Sequence, residues 1–456
     1  MKTQLHHDDF FAGLRTKEFA ILDEQNQTYL DFTGGNLSPR SLLDKHCHTL
    51  QTKVMGNPHS TNPTSQTSTH LVEETRKKIL TYFNANDYYC VFTQNASAAL
   101  KIVGESYPFD EKSHFLILSD NHNSVNGIRE FCTKKKGTVR YVPVEYRDLQ
   151  IHPPHLDDLL AKTPKHHSNL FAFPAQSNVS GVKHDLGWIK KAQDQGFDVL
   201  LDAAAFVPSN KLDLSVHTPE FVSVSFYKMF GFPTGVGCLL IKKSVFQKLI
   251  KPWFAGGTVS LVSVIHPNRF LANNHERFED GTLNYQMIPA VKNGLEWLES
   301  IGIQTIQARV QSLGEYLANG LKNLQHSNGT PIVKIFGPET FSHRGGNLIM
   351  NFYDHKGNHF PLEWIEQKAN KALLSIRYGC FCNPGIDEIN NAIGSEEISN
   401  YFMSHDQGDY YDMIRYLGKM RGAVRVSVGV ATVQKDLDAF IELVSSLSNT
   451  LSPVAP

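Results

Sequence analysis

Short apolar runs alternate with helical segments between about residue 70 and residue 245, and this alternation is the strongest constraint on the fold. The spacing is typical of strand–helix–strand units, in which the helix returns the chain so that the strands lie parallel. Several runs are apolar at every position, which indicates strands that are covered on both faces. The strand candidates are 89–93, 115–118, 139–144, 170–173, 199–201, 221–225 and 237–241. The sequence therefore predicts a mostly parallel, doubly wound α/β sheet of about seven strands.

The pattern changes after about residue 285. Residues 291–324 have nearly continuous helical periodicity with one interruption near Gly302, and an amphipathic helix is predicted at 437–447. The strand candidates between them are 332–336, 346–352 and 422–428. This second pattern predicts a smaller α+β domain.

We therefore expect two domains, a large one at 20–285 and a small one at 286–456. The first residues, 1–19, are able to pack on the small domain. The stretch 395–420 is polar and rich in tyrosine, and it is predicted to be a mobile loop.

The composition limits the partners that the protein is expected to bind and the cellular compartment that it suits. A chain of 456 residues with a formal net charge of −1 argues against nucleic acid or an anionic membrane as a partner. We also expect no signal peptide and no membrane span. Six thinly spread cysteines do not make a disulfide framework and suit a reducing cytoplasm. Cys380 and Cys382 form the one cluster, but no matching set of ligands follows, so no metal site is expected.

Lys228 comes just after the strand candidate 221–225 and is flanked by aromatic residues. A lysine charge at the end of a buried strand loses hydration, which favours the neutral amine. A neutral amine at physiological pH is suited to forming a Schiff base. The alternative is a side chain that extends to the surface and keeps its amine in water.

Ligands bind at the carboxyl ends of the strands in doubly wound sheets, so the residues after each strand candidate matter most. Ala96 and Ser97 open a helix after the first strand, where bare N–H groups and a hydroxyl can hold a phosphate. His122 follows the second strand and can stack on a planar ring. Asp202 lies between an apolar strand and three alanines, where a carboxylate needs a cationic partner such as a protonated ring nitrogen. Each residue also has an ordinary alternative as a helix cap or a turn residue.

The order of these residues along the chain is stronger evidence than any one of them. It resembles the fold-type I pyridoxal phosphate enzymes, and within them the class V aminotransferase group that holds the cysteine desulfurases. Longer motifs are similar to the amino-terminal desulfurase domain of molybdenum cofactor sulfurases, and the similarity extends from about Tyr29 to Leu447. These motifs are 56–60, 120–125, 225–235, 277–282 and 377–385.

The resemblance implies a role for each of these residues. Lys228 is expected to bind the cofactor covalently and to move the substrate proton, while Asp202 pairs with the ring nitrogen and His122 stacks on the ring. A homodimer is implied as well, in which Thr282 reaches the phosphate of the other protomer. The remaining expected contacts are Ala96, Ser97 and Ser225 to the phosphate, Asn178 to the cofactor and the substrate, and Arg425 and Arg377 to the substrate.

The same resemblance implies that Cys382 is the nucleophile that takes sulfur from L-cysteine as a persulfide and leaves alanine. Counting from Arg377 along the family pattern favours Cys382, and Cys380 is its rival or a resolving partner. The chemistry needs an accessible thiolate on a mobile loop.

Some positions depart from the family patterns. Ala205 and Tyr227 stand where many cysteine desulfurases have Gln and His, and both changes resemble the sulfurase branch. The segment 386–421 is atypical, and the chain ends at Pro456 without room for the carboxy-terminal domain of the sulfurases. The alternatives are therefore a lyase or aminotransferase of the same fold, a sulfur carrier without its acceptor domain, and a non-catalytic binding protein. The identity of the sulfur acceptor stays open.

Overall fold

A computed structural model describes residues 7–146 and 148–453. Its strands in chain order are β1 Thr28–Tyr29, β2 Tyr88–Thr93, β3 His114–Leu118, β4 Thr138–Val142, β5 Asn169–Pro174, β6 Phe197–Asp202, β7 Phe221–Ser225, β8 Gly237–Lys242, β9 Val259–Val262, β10 Arg269–Leu271, β11 Val333–Phe336, β12 Asn347–Phe352, β13 Leu374–Ser375, β14 Arg377–Gly379 and β15 Ala423–Ser427. Its α-helices in chain order are α1 Asp8–Glu18, α2 Ile21–Glu24, α3 Arg40–Thr52, α4 Pro63–Tyr82, α5 Ala96–Ser106, α6 Asn123–Asn126, α7 Arg129–Lys134, α8 Pro153–Lys162, α9 Trp188–Asp194, α10 Tyr227–Phe230, α11 Ile288–Ile301, α12 Ile303–Lys322, α13 Leu362–Lys371, α14 Pro384–Asn390, α15 Ser395–Ser404, α16 Tyr410–Leu417 and α17 Gln434–Ser445. Lys243–Lys248 and His275–Phe278 form 3-10 helices.

The largest sheet has seven strands in the order β2-β8-β7-β6-β5-β3-β4. Strand β8 runs antiparallel to both of its neighbours, and the other pairings in this sheet are parallel. The predicted mostly parallel sheet is therefore confirmed, and each of its strands overlaps one of the strand candidates.

Strand β5 shows why the apolar runs form central strands. Every residue of this strand is buried. Phe171 and Phe173 belong to the core cluster on one face of the sheet, and Leu170 and Ala172 belong to the cluster on the other face. Alternate side chains of a strand point to opposite faces, so a run that is apolar throughout is stable only between two apolar layers.

A second sheet, with the strand order β11-β12-β15-β14, is antiparallel throughout. Helices α11 and α12 precede it, and they meet at Gly302, whose φ of 90° lies in the left-handed region. Glycine adopts this conformation readily, which explains the interruption in the helical periodicity. This second sheet supports the proposed division of the chain into two domains near residue 285. The N-terminal helix α1 contacts the proposed small domain: Arg15 donates a hydrogen bond to Asp436 over 2.7 Å.

The stretch 395–420 contains helices α15 and α16, so the prediction of a loop there was wrong. Asp409 caps α16 by accepting from the backbone N–H of Asp412 at 2.9 Å. Arg421 comes directly after this stretch, and its Nε donates to the buried carboxylate of Asp387 over 2.7 Å. Local polarity favoured a loop, but the caps and this buried ion pair stabilise helices.

Among the residues that the structure describes, no helix combines the length and the apolar character that crossing a membrane requires.

His46 lies on α3 and is 1% exposed. Both ring nitrogens are buried without a hydrogen-bond partner, and the ring lies 5.3 Å from that of Phe232. Burial lowers the pKa of His46 from its ordinary value of 6.5, because a charged imidazole loses its hydration there. The native protein therefore holds His46 neutral.

His46→Leu is expected to make stability less sensitive to acid. The unfolded chain binds a proton at His46 below about pH 6.5 while the native chain does not, so the native state loses stability as the pH falls. Between pH 7 and pH 5.5 the wild type should lose about 1 kcal/mol more than the variant, measured as the free energy of unfolding in urea. His48→Leu changes an exposed histidine on the same helix and is the control. Equal pH dependence of the wild type and His46→Leu would contradict the interpretation.

Candidate active site

A cavity of about 160 Å³ lies where several strands of the large sheet end. The carboxyl ends of β2, β3, β5, β6 and β7 meet at this edge, so the residues that follow them come together. The cavity is lined by Asn95, Ala96, Ser97, Leu100, His122, Ser124, Pro174, Gln176, Asn178, Asp202, Ala204, Ala205, Ser225, Tyr227 and Lys228. The structure thus brings together most of the site residues predicted from the sequence.

Lys228 lies on α10, directly after β7, and its side chain is half-buried. Burial lowers the pKa of its amine, and the carboxylate of Asp202 opposes this effect. The positive charges of Arg425 and Arg377 also lower the pKa of Lys228. The side chain lines the cavity, so the structure does not favour the alternative in which it extends to the outer surface.

Asp202 ends β6 and is 9% exposed. Its Oδ1 accepts from the Ser223 hydroxyl at 2.9 Å and from the backbone N–H of Ala204 at 3.1 Å. Hydrogen bonds of this kind hold the carboxylate in a fixed orientation. No hydrogen bond between described residues engages Oδ2 of Asp202, so that oxygen is available to a cationic group in the cavity.

His122 caps α6 and is held by the serine that follows it in the same turn. Its Nδ1 accepts from the backbone N–H of Ser124 at 3.1 Å, which assigns the ring proton to Nε2. Burial lowers the pKa of His122, and the charge of Asp202 opposes this. The ring is therefore neutral at physiological pH, and it lines the cavity.

The N-terminus of α5 forms the polar end of the cavity. The N–H of Ala96 donates to the hydroxyl of Ser225 over 2.9 Å, and the hydroxyls of Ser97 and Ser124 lie 2.6 Å apart. Asn95 caps the helix by accepting from the N–H of Ala98 at 3.0 Å. The helix cap does not exclude an anion site here, because Asn95 caps through the N–H of Ala98, while Ala96 and the serines Ser97, Ser124 and Ser225 line the cavity.

The loop that carries Cys382 is fastened to the cavity wall by backbone contacts. The N–H of Asn123 donates to the carbonyl of Cys382 over 2.7 Å, and Asn178 Nδ2 donates to the carbonyl of Phe381 over 2.9 Å. Buried Asn383 donates to Asn178 Oδ1 at 3.1 Å and to the carbonyl of Asp120. Phe381 and Cys382 have φ of 55° and 54°, which is uncommon for residues with a side chain and costs free energy.

The two cysteines of this loop differ in their surroundings. Cys382 is exposed, and a negative charge there raises the pKa of Lys228. Cys380 is half-buried, and burial raises the pKa of its thiol, as does the carboxylate of Asp387. A thiol whose pKa is raised is mostly protonated at neutral pH and reacts slowly as a nucleophile.

Two arginines predicted to bind the substrate, Arg377 and Arg425, lie side by side on β14 and β15. Both are bonded to Asp31, which the sequence analysis did not single out. Ser124 and Ser223 were also missed. Asp31 lies 346 residues from Arg377 and 394 residues from Arg425 along the chain, so no local spacing could reveal the contact.

Thr282 does not line this cavity in its own chain, and neither do Cys382, Arg377 and Arg425. Thr282 is exposed and borders a different opening of about 600 Å³, together with Gln94 and Asn95.

The comparisons with known proteins agree with this fold. Residues 28–440 match the family model of aminotransferase class-V. The chain belongs to the class-V aminotransferase family.

Two curated relatives and one solved structure are similar to this chain over most of its length. The chain is 37% identical over 452 residues to molybdenum cofactor sulfurase 3 of Aedes aegypti, which covers 94% of this chain and 57% of that protein. It is 34% identical over 459 residues to molybdenum cofactor sulfurase of Homo sapiens, covering 94% and 50%. The chain thus spans about half the length of these curated relatives. The apo structure of a cysteine desulfurase from Thermococcus onnurineus NA1 matches with a TM-score of 0.79 at 22% identity, covering 99% of this chain and 100% of that one, and it supports the fold.

The amine of Lys228 is expected to react at a lower pH than an ordinary lysine. Acetic anhydride labelling of cofactor-free protein, followed by mass spectrometry, should give a half-maximal labelling rate for Lys228 at a lower pH than for exposed Lys53. Asp202→Asn should move that pH further down, because the variant loses the negative charge that stabilises the ammonium. An upward shift in the variant would contradict the assigned electrostatics.

Proposed function

We propose that this chain is a pyridoxal phosphate-dependent cysteine desulfurase-like enzyme that takes sulfur from L-cysteine as a persulfide on Cys382 and releases alanine. The observation that carries the proposal is the attachment of an exposed cysteine loop to the wall of a cavity that also holds Lys228, Asp202 and His122. A lyase or an aminotransferase needs the lysine and the acid, but it does not need a thiol there.

The residues of the cavity fit the cofactor. Asp202 offers an unengaged carboxylate oxygen for a protonated ring nitrogen, and neutral His122 offers a ring face for stacking. The N–H of Ala96 and the hydroxyls of Ser97 and Ser225 suit a phosphate at the start of α5. Bound pyridoxal phosphate supplies an electron sink for the carbanion that forms at the substrate Cα.

Lys228 and Cys382 divide the proton transfer and the sulfur transfer between them. The amine of Lys228, with its lowered pKa, takes the proton from the substrate Cα. The thiolate of Cys382 then attacks the substrate sulfur, so that an S–S bond forms and the substrate C–S bond breaks. The substrate Cβ keeps the electron pair of the broken bond and gains a proton, and the proton held by Lys228 returns to Cα, which leaves alanine and a persulfide on Cys382.

Asn178 and Arg425 are proposed to orient the substrate. Arg425 Nη1 donates to the carbonyl of Asn178 over 2.9 Å, and its guanidinium lies 4.6 Å from the ring of Phe381. These contacts place the carboxylate-binding arginine beside the loop of Cys382. A substrate bound through its carboxylate is therefore held between Lys228 and the thiol.

We further propose a homodimer, a cytoplasmic location and a separate sulfur acceptor. The dimer is supported by Thr282, which is exposed and outside the cavity of its own chain. Cysteines that form no disulfide among the described residues suit the cytoplasm. The exposure of Cys382 suits transfer of the persulfide sulfur to a second molecule.

Cys382→Ala is expected to lower the rate of alanine formation from L-cysteine at least 100-fold, because the sulfur then lacks its acceptor. Cys380→Ala should retain most of the rate, because burial raises the pKa of that thiol. The measurement is alanine release, with mass spectrometry of the persulfide after incubation with L-cysteine. Cys47→Ala removes another exposed cysteine and is the control. A persulfide on Cys380 alone, or full activity of Cys382→Ala, would reject the assignment.

The purified protein is expected to carry pyridoxal phosphate bound covalently to Lys228. Borohydride reduction and peptide mapping should find the pyridoxyl mass on Lys228, and Lys228→Ala should lack it. Lys251 is an internal comparison. It is buried, but its amine is paired with Asp280 at 2.7 Å, so it should stay unmodified. A protein without visible absorption and without the pyridoxyl mass would speak for a non-catalytic role.

A further inference from the structure

Asp31 lies between the two arginines of the candidate substrate site and bonds to both. Its Oδ2 accepts from Arg377 Nε at 2.9 Å and from Arg377 Nη2 at 2.6 Å. Its Oδ1 accepts from Arg425 Nη2 at 2.8 Å. One carboxylate thus uses both oxygens to hold two guanidinium groups in a fixed arrangement.

The three groups carry one net positive charge. The side chains of Asp31 and Arg425 are 9% and 4% exposed, whereas that of Arg377 is 55% exposed. Two like charges this close repel each other, and the repulsion is strong where water is excluded. The charge of Asp31 compensates one of them and leaves the other available to an anion.

Arg425 still has a donor to offer. Its Nη1 donates to the carbonyl of Asn178 and its Nη2 to Asp31. Its Nε is buried and has no hydrogen-bond partner. An unpaired N–H on a buried guanidinium costs free energy, and a carboxylate that reached this N–H on binding would recover that cost.

Asp31 is itself held in place. It forms a bridge with Ser427 on β15, and the hydroxyl of Ser427 accepts from the N–H of Thr33 at 2.9 Å. Gly34 lies so close that a Cβ there would meet Asp31 Oδ2 at 2.5 Å. The carboxylate has little freedom to move away from the arginines.

We propose that Asp31 is a positioning and specificity residue, which aligns Arg377 and Arg425 and cancels one of their charges, so that the site accepts amino acids with a single carboxylate. This inference rests on the proposed function, because it assigns the arginine pair to the substrate carboxylate. It predicts discrimination against amino acids with a second carboxylate, such as L-aspartate.

The inference can be tested by counting charges in a set of variants. The group of three carries +1 in the wild type, +2 in Asp31→Asn, 0 in Arg377→Gln and +1 again in the double variant. The dissociation constants of L-alanine and L-aspartate for the holoenzyme are measured by calorimetric titration. Arg140→Gln removes an exposed arginine on β4 that does not line the cavity, and it is the control.

The wild type is expected to prefer L-alanine. Asp31→Asn should shift the ratio of the two dissociation constants at least tenfold toward L-aspartate, and the double variant should shift it back. Arg377→Gln should weaken L-alanine binding at least tenfold, while Arg140→Gln leaves it unchanged. A merely structural role of Asp31 would weaken both amino acids equally, and that result would overturn the proposal.

Two further readouts complete the test. If Asp31→Asn does not fold, the Arg377→Gln variant tests the proposal instead, because Arg377 is exposed and its replacement is expected to leave the fold intact. Unchanged binding of L-alanine by this variant would overturn the proposal. Alanine release from L-cysteine by the wild type is measured in parallel. A wild type that shows the expected binding ratios but releases no alanine would leave the role of Asp31 standing and reject the desulfurase function.

Discussion

The parallel direction of the strands is the constraint on which the site depends. Strands β3, β5, β6 and β7 run in the same direction and end at one edge of the sheet. The residues that follow them therefore come together at this edge, although they are far apart in the sequence. Asp202 and Lys228 occupy two adjacent strand ends, where burial lowers the pKa of the lysine and the acid opposes the shift. The balance of these two effects sets the protonation of the amine.

The second sheet contributes the side chains that the proposed function assigns to the substrate carboxylate and to sulfur transfer. Arg377 and Arg425 come from β14 and β15, and the loop of Cys382 follows β14. Contacts from Asn178 and Asn123 fasten that loop to the large sheet. The proposed proton transfer and the proposed sulfur transfer therefore belong to different parts of the fold, which the contacts of this loop join.

Much of this was predictable because the signals are local. A short apolar run bounded by turn residues favours a buried strand, and β2 to β8 all overlap candidates found in this way. Lys228, Asp202, His122 and Ser97 could be proposed from the sequence because each lies at or within a few residues of the end of a strand. The helices at 395–404 and 410–417 were missed, since their sequence is polar and they depend on caps and on the buried pair of Asp387 and Arg421.

Local patterns in the sequence are enough to predict the large sheet, the edge where the candidate site lies, and Lys228 and Asp202 at two adjacent strand ends. The charges that surround the two arginines depend on the tertiary structure. Asp31 is 346 residues from Arg377 and 394 from Arg425 along the chain, and its contact with them exists because the N-terminal segment crosses the second sheet beside β15. Electrostatic interactions depend on distance in space, and no local pattern records that distance.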